Sequence, residues 1–362
     1  MQQLYGKYLE ACAQRKEHTW VLGLSGGKHR KKIPLEVESL WGKLLKANPA
    51  ASYSFAASEG WRRFGFQSDR ATVRRWALLK ELAPSKPRKA KPAHIRRWQC
   101  QQIGALWQLD VSPHAWFGSD HGNLPLFDLI DDCSRVMTGT RIYGREDLLA
   151  YMDFLSRAFE EYGLPLAVYV DYHSFFFSYL PNALTTLGEA LRFYDISFKY
   201  APTPQAKGKV ERAHQFWQKR LPSYFSAESI TDISQANIHI QQLRIHHNKY
   251  ENHREIQMTP QKAWNQAQRE KRSVLRPKPA SPWWPFIWSL RTTVKVDIDG
   301  TVPVGAQRVK TKFLLGTRLT RCEHPNGSFT FLAKPPTSGG KPVILLRYEY
   351  DPSNIPNQNA KV

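Results

Sequence analysis

Apolar residues recur at two different spacings along this chain, and the changes of spacing divide it. PLEVESLWGKLLK (34–46) places Leu35, Leu40, Trp41, Leu44 and Leu45 at helical intervals, with Pro34 in the first turn. A second short helix fits 51–63, and Ser68 or Asp69 can cap a third over 71–82, ended by Pro84. From 100 to 226 the period alternates. ALWQLDVS (105–112) reads as a strand, and 124–143 as two strands joined by a turn at 131–134. A helix over 145–163 carries Leu148, Leu149, Met152, Leu155 and Phe159 on one face and ends at Gly163. LAVYVD (166–171) is a short buried strand, 183–194 a helix, and ISFKYAP (196–202) a strand. Pro202, Pro204 and Gly208 mark a loop before a last helix carrying Glu211. The order β-β-β-α-β-α-β-α predicts a mixed sheet flanked by helices.

The ends of the chain differ from this middle. Residues 1–17 read as a polar amphipathic helix without the apolar centre of a signal peptide. The last of the three short helices has Arg70, Thr72, Arg74 and Arg75 near its start, which resembles a helix-turn-helix whose final helix meets base edges in the major groove. A small helical bundle with solvated arginines is the plainer alternative. The Pro- and Lys-rich stretch 84–94 lacks core-forming residues, and 84–99 reads as a basic linker. Residues 227–276 read as a helical extension. Beyond the Trp/Pro-rich connector 276–288 the pattern turns all-β. It has an Asp299-Gly300 turn, a hairpin around HPNG (324–327) and a final strand at 343–350. These strands suit a small SH3-like β-barrel over 277–350, with a generic β domain as the alternative. Residues 351–362 read as a disordered tail. The expected organisation is multidomain α+β: a helical, helix-turn-helix-like region over 1–83, the linker, a central α/β core over 100–226, the helical extension, and the barrel.

Charge sharpens this division. The 362 residues hold 52 Lys and Arg against 31 Asp and Glu, a formal net charge of +21. Residues 1–99 hold 21 basic against 7 acidic side chains, 100–226 hold 11 against 14, and 227–362 hold 20 against 10. A basic chain of this kind meets a polyanion, and nucleic acid fits better than an anionic membrane surface, which needs no acidic centre. No run of 18 apolar residues occurs. The four cysteines, Cys12, Cys100, Cys133 and Cys322, form no CxxC pair, which argues against a zinc finger or a disulfide framework and fits a reducing cytoplasm. His246, His247 and His253 fit no strong zinc spacing. No GxxxxGK[ST] loop occurs, so ATP use by this chain is not expected.

Within the acidic middle, three carboxylates occupy telling places. Asp110 stands near the end of the first core strand, Asp171 at the end of the fourth, and Glu211 on the last helix. Sites in α/β sheets gather outside the carboxyl ends of strands. Converging carboxylates need a cation, and hard oxygen ligands suit Mg²⁺, with Mn²⁺ as a substitute. Lys207, Lys209 and Arg212, around Glu211, are candidates to hold a DNA strand. Taken singly, each acid also reads as a cap or turn residue.

WQLD (107–110), FDLIDDCSR (127–135), YGLPLAVYVD (162–171) and QAKGKVERAH (205–214) resemble, in order, the blocks of the DDE transposase and retroviral integrase catalytic core. The gap from Asp110 to Asp171 is 61 residues and that from Asp171 to Glu211 is 40, within the range of bacterial insertion-sequence transposases. HHNKYENHREIQMTPQKAW (246–264) looks like the segment that follows the core in these enzymes. The resemblance implies a ribonuclease H-like core, with Asp110, Asp171 and Glu211 as catalytic metal ligands; Asp131 and Asp132 rival Asp110 for the first position. It implies a magnesium-dependent DNA transposase, cutting and joining 3′ ends of element and target DNA as a homo-oligomer on DNA, with no membrane partner, in the bacterial cytoplasm near the nucleoid. One departure stands out: the family's Asp-Asn-Gly at the second acid is here Asp171-Tyr172-His173, followed by SFFF. The N-terminus is also short for the family, as in a truncated copy. A catalytically inactive DNA-binding derivative, acting as repressor or scaffold, is the second reading, and a plain ribonuclease of this fold is a third, disfavoured by the two basic flanks.

Overall fold

The structure, a computed structural model, describes residues 32–47, 51–82, 99–171, 176, 185–201, 208–305, 307–336 and 340–349, with the single positions 9 and 13. The expected helix at 1–17, the linker at 84–99 and the tail at 351–362 lie wholly or almost wholly outside these residues.

Three helices open the described chain: α1 (Leu35–Ala47), α2 (Tyr53–Phe64) and α3 (Arg70–Leu79). Ser52 caps α2 by accepting from Phe55 N, and Asp69 caps α3 by accepting from Thr72 N. The third helix ends before the predicted residue 82, because Glu81 enters the left-handed region (φ 58°) and Leu82 N turns back to Ala77 O. Trp41 and Trp76 meet edge to face at 5.5 Å in the middle of the three.

The central sheet has five strands in the order β3-β2-β1-β4-β5, with β1 Trp107–His114, β2 Leu124–Asp131, β3 Met137–Ile142, β4 Ala167–Val170 and β5 Ser197–Tyr200. β1, β2 and β3 run antiparallel; β4 and β5 run parallel to β1. The inner strand β2 is buried almost throughout and β4 wholly, while the edge strand β5 alternates. Helices α4 (Leu148–Tyr162) and α5 (Thr186–Phe193) connect the strands, and α6 (Gly208–Gln218) packs on β1 and β2.

Three more helices follow: α7 (Leu221–Glu228), α8 (Ile233–Tyr250) and α9 (Pro260–Arg269). The helical extension is sewn into the core. β3 is an edge strand, and an edge exposes unpaired backbone groups. Helix α8 satisfies them: Asn237 accepts from Ile142 N and donates to Ile142 O, while Asn248 accepts from Met137 N and donates to Met137 O. The two asparagines lie eleven residues apart, about 16.5 Å along a helix, and Met137 and Ile142 lie about 17 Å apart along a strand. The match of rises lets one helix close one strand edge. Segment 272–276 likewise runs against residues 103 and 164 through backbone hydrogen bonds. It passes so near Gly163 (φ 90°) that a Cβ there would sit 2.6 Å from Arg276 O, so glycine is required.

The N-terminal helices share one buried cluster with α6, α7, α8 and the outer face of the sheet, including Trp41, Phe55, Trp217 and Tyr224. Glu251 fastens the junction. It accepts both arms of Arg220 (2.7 and 2.8 Å) and a hydrogen bond from Ser58 Oγ (3.2 Å), with His247 Nδ1 3.2 Å away.

A short helix, α10 (Trp284–Ile287), precedes the C-terminal strands β6 (Leu290–Lys295), β7 (Thr301–Val304), β8 (Gln307–Lys310), β9 (Arg318–Glu323), β10 (Phe329–Leu332) and β11 (Ile344–Tyr348). They form a four-stranded sheet, β11-β10-β9-β6, and a two-stranded ribbon, β7-β8, over a core of Val296, Val302, Val304, Leu319, Phe329 and Phe331. The turn at Asp299-Gly300 forms, with Gly300 at φ 72°, but the strands on its two sides enter different sheets. Trp283, Trp284 and Trp288 are buried in the cluster that contains Trp107 and Phe159, so these tryptophans pack.

Candidate active site

Asp110 and Asp171 are neighbours by strand register. β1 pairs with β4 in parallel at Trp107↔Val168 and Gln108↔Tyr169, an offset of 61 residues. The same offset carries Asp110 to Asp171, the residue immediately after β4. Paired strands run about 4.8 Å apart, so this register, continued two residues past its last pair, would set the two acids side by side on one face. Both charges act on the Tyr151 hydroxyl, whose proton is held more tightly than usual by burial first, then by its bond to Glu146 (2.6 Å), then by Asp171 and Asp110.

Glu211 lies on the first turn of α6 and is exposed. One helical turn further on, His214 reaches Asp110. His214 Nε2 is 3.2 Å from Asp110 Oδ2 and Nδ1 is 3.4 Å from Asp128 Oδ2. Each ring nitrogen thus faces a carboxylate within ion-pair reach. Burial opposes charge on the imidazole, but the two carboxylates prevail and raise its pKa to about 9. Asp128 is fully buried directly across from Asp110 in the antiparallel register, and its Oδ1 accepts from Thr140 Oγ1 (2.7 Å) and Trp217 Nε1 (3.0 Å).

Among the described residues, no three His, Cys, Asp or Glu side chains are grouped so as to hold a metal ion. Asp110 and Asp171 adjoin, and Glu211 does not complete a set with them. The physical reason is mutual: carboxylates repel until a cation lies between them, and Asp110 is drawn to a cationic histidine. The donor types, three carboxylates, still suit a hard divalent ion.

The two rival acids have structural tasks. Asp131 is fully buried; Oδ1 accepts from Gly104 N (2.8 Å) and Trp107 Nε1 (3.2 Å), and Oδ2 from Ser134 N and Oγ (both 2.7 Å). Asp132 accepts from Cys100 N and Gln108 Nε2, both at 2.7 Å. It also pairs with Lys209, so that expected DNA contact is turned inward and partly buried. Arg212 is exposed and pairs with Glu255. Lys207 lies outside the described residues. Arg70, Arg74 and Arg75 are exposed on α3 and Thr72 is half-buried, while Val73, Trp76 and Ala77 hold the helix down. The loop after Asp171 is described at Phe176 alone, whose ring meets Tyr151 (5.1 Å) and Phe198 (5.4 Å) and whose carbonyl accepts from Tyr200 Oη. The SFFF run thus supplies one core anchor beside the second acid.

Sequence reasoning passed over Asp128 and His214. The signals were an acid in the middle of an apolar strand, FDLID, which must find a partner, and a histidine one turn past Glu211.

No family model matches the chain. It is 34% identical over 158 residues to the transposase for insertion sequence IS1202 of Streptococcus pneumoniae, covering 42% of this chain and 33% of that protein. It is 30% identical over 178 residues to a protein named as a transposase, y4bF, of Sinorhizobium fredii (strain NBRC 101917 / NGR234), covering 48% of this chain and 39% of that one. The chain thus spans well under half the length of these curated relatives. Among solved structures it is similar to the simian T-cell lymphotropic virus intasome in complex with PP2A regulatory subunit B56 gamma (17% identity, TM-score 0.40, 76% of this chain and 92% of that one). It is also similar to the HTLV-2 integrase catalytic core domain in complex with magnesium (17% identity, TM-score 0.35, 45% and 97%). Over just under half of its length, this chain resembles the insertion-sequence transposases in sequence.

Proposed function

We propose that this chain is a DDE-type transposase that cuts the 3′ ends of an insertion element and joins them to target DNA. The observation that carries the reading is the parallel register that sets Asp171 beside Asp110, in a chain whose sequence resembles transposases. The sheet order β3-β2-β1-β4-β5 supports a ribonuclease H-like core. Asp110, Asp171 and Glu211 would hold Mg²⁺ or Mn²⁺, which supplies an activated water or 3′ hydroxyl and stabilises the leaving oxygen. His214 holds Asp110 against the sheet, and buried Asp128 holds His214. Arg70, Thr72, Arg74 and Arg75 are the candidate contacts to the element's terminal sequence, with the helical unit acting as a helix-turn-helix. Arg212 and Lys207 flank Glu211 for backbone contacts; Lys209 serves once released from Asp132. The C-terminal sheet and ribbon, as an SH3-like barrel, add a basic surface. Joining two ends requires more than one copy on DNA.

The second reading is a DNA-binding derivative without catalysis, acting as repressor or scaffold. The position of Glu211, which completes no metal-holding group with the two aspartates among the described residues, favours it. One experiment decides. Purified protein is mixed with duplex DNA bearing the element's ends, with Mg²⁺, Mn²⁺ or EDTA, beside Glu211→Gln. Metal-dependent 3′ nicking that disappears in the variant supports the transposase; end-specific binding without cleavage in any metal supports the derivative.

A further inference from the structure

On a different side of α6 from Glu211 lies a cavity of about 90 Å³. Lys209, Arg212 and Phe216 line it from the helix, Arg135 from the turn after β2, and His253 and Glu255 from the segment after α8. Lys209, Arg212 and Phe216 share a helical stripe by their spacing, and Glu211 and His214 occupy another. Three cationic side chains therefore face this space with one carboxylate among its lining residues.

Arg135 is the least explained of them. Its side chain is 5% exposed, and its backbone is in the left-handed region at φ 66°. One guanidinium arm donates to the carbonyl of Asp132 and the other stands 3.6 Å from Glu255 Oε2, beyond a hydrogen bond. Its Nε is buried and finds no acceptor among the described residues. A buried guanidinium with donors unmet is costly, so a site that keeps one has a use for it. The surroundings carry excess positive potential. His253 is held to a pKa of about 4, by burial first and then by Arg135 and His247.

We propose that this cavity is a phosphoryl-oxyanion site, taking a backbone phosphodiester of bound nucleic acid, and that the Glu255 carboxylate fills it when no phosphate is present. A carboxylate and a phosphate present similar paired oxygens to arginine forks. Glu255 bonds Arg212 and faces Arg135, as a phosphate's oxygens would. The nucleic-acid source of the phosphate rests on the function proposed above; the oxyanion chemistry does not.

The test has two arms. In the first, fluorescence anisotropy follows a labelled duplex against salt for the full chain, Glu255→Gln, Arg135→Gln and, as a charge control, Glu160→Gln, whose carboxylate pairs with Lys278 elsewhere. Thermal melts check that each variant is folded. Glu255→Gln is expected to bind several-fold tighter than the control. Arg135→Gln is expected to bind more weakly, with the salt slope reduced by about one. Glu255→Gln matching the control overturns the proposal, even if strand cleavage is intact. In the second arm, inorganic phosphate is titrated while the His253 ring is followed by NMR. A saturable shift in the full chain that Arg135→Gln abolishes supports the site, and no shift overturns it. If the chain proves not to bind DNA, the transposase reading falls and the phosphate arm still decides the cavity.

Discussion

His214 stands 3.2 Å from Asp110, and on its other side Asp128 lies 3.4 Å away. A buried cation between two carboxylates is a charge balance within the candidate active site itself, built from β1, β2 and α6. It fixes where Asp110 lies before any ligand arrives.

The balance has a pH signature. The His214 pKa rises from 6.5 to about 9 in the folded chain, so its contribution to stability is complete below pH 6.5 and is lost as pH rises through 9. The shift corresponds to roughly 3 kcal/mol. Urea unfolding in EDTA, compared between the parent and His214→Asn from pH 6 to 9.5, should show a stability difference that shrinks on the alkaline side. A difference that does not vary with pH would sink this assignment.

If Asp110, Asp171 and Glu211 act together, each amide variant should lose strand cleavage by about 10³-fold or more, the equivalent of about 4 kcal/mol of transition-state stabilisation. End binding should persist. Retention of cleavage by Asp171→Asn would remove it from the set and return attention to the loop at 172–184.

Closure of the sheet edge depends on two asparagines. Asn237→Leu leaves the N–H and C=O of Ile142 buried and unmatched, at a cost of about 1–3 kcal/mol for each group. Chemical denaturation should show a loss of at least 2 kcal/mol by that reckoning, with Asn248→Ala smaller because Arg244 still donates to Met137 O. A loss near zero in Asn237→Leu would mean that water reaches this edge.

Glu251 is held well below the ordinary carboxylate range. Burial opposes its ionisation, and Arg220 with His247 overcomes it. Glu251→Gln strands Arg220 and should cost about 3–5 kcal/mol. Because Ser58 also donates to Glu251, limited proteolysis should detect the helices over 35–79 loosening from the core. Equal protease resistance in parent and variant would refute that role.

The candidate base-reading helix predicts its own salt behaviour. Each of Arg70, Arg74 and Arg75, replaced by Ala, should reduce the salt slope of duplex binding by about one if it contacts phosphate, and relax sequence preference if it contacts a base. Unchanged affinity and preference in all three would assign α3 to packing alone.

The elements of the core were legible because period and punctuation agree there. Asp147 caps α4 and Gly163 ends it; the turn at 131–134 joins β2 to β3. The places of Asp110 and Asp171 at the ends of two core strands were legible too, and the structure adds that those strands, β1 and β4, pair in parallel. What sequence could not give was partnership at long range. Lys209 looks like a free cation in KGKVER, yet its partner Asp132 is 77 residues away. Asp299-Gly300 forms its local turn as expected, but β7 pairs onward with the adjacent β8 while β6 pairs with the more distant β9. His214 was in the quoted motif, and only the fold shows two carboxylates around it.

The asparagine seam along β3 also redraws where the unit built on the central sheet ends. Helical pattern alone suggested a boundary after residue 226, but a chain cut there would lose Asn237, Asn248 and Arg244 together. The bared strand would then offer its open edge to any other strand nearby. A chain that ends between α7 and α8 is therefore expected to aggregate, and the shortest self-sufficient core extends past residue 248.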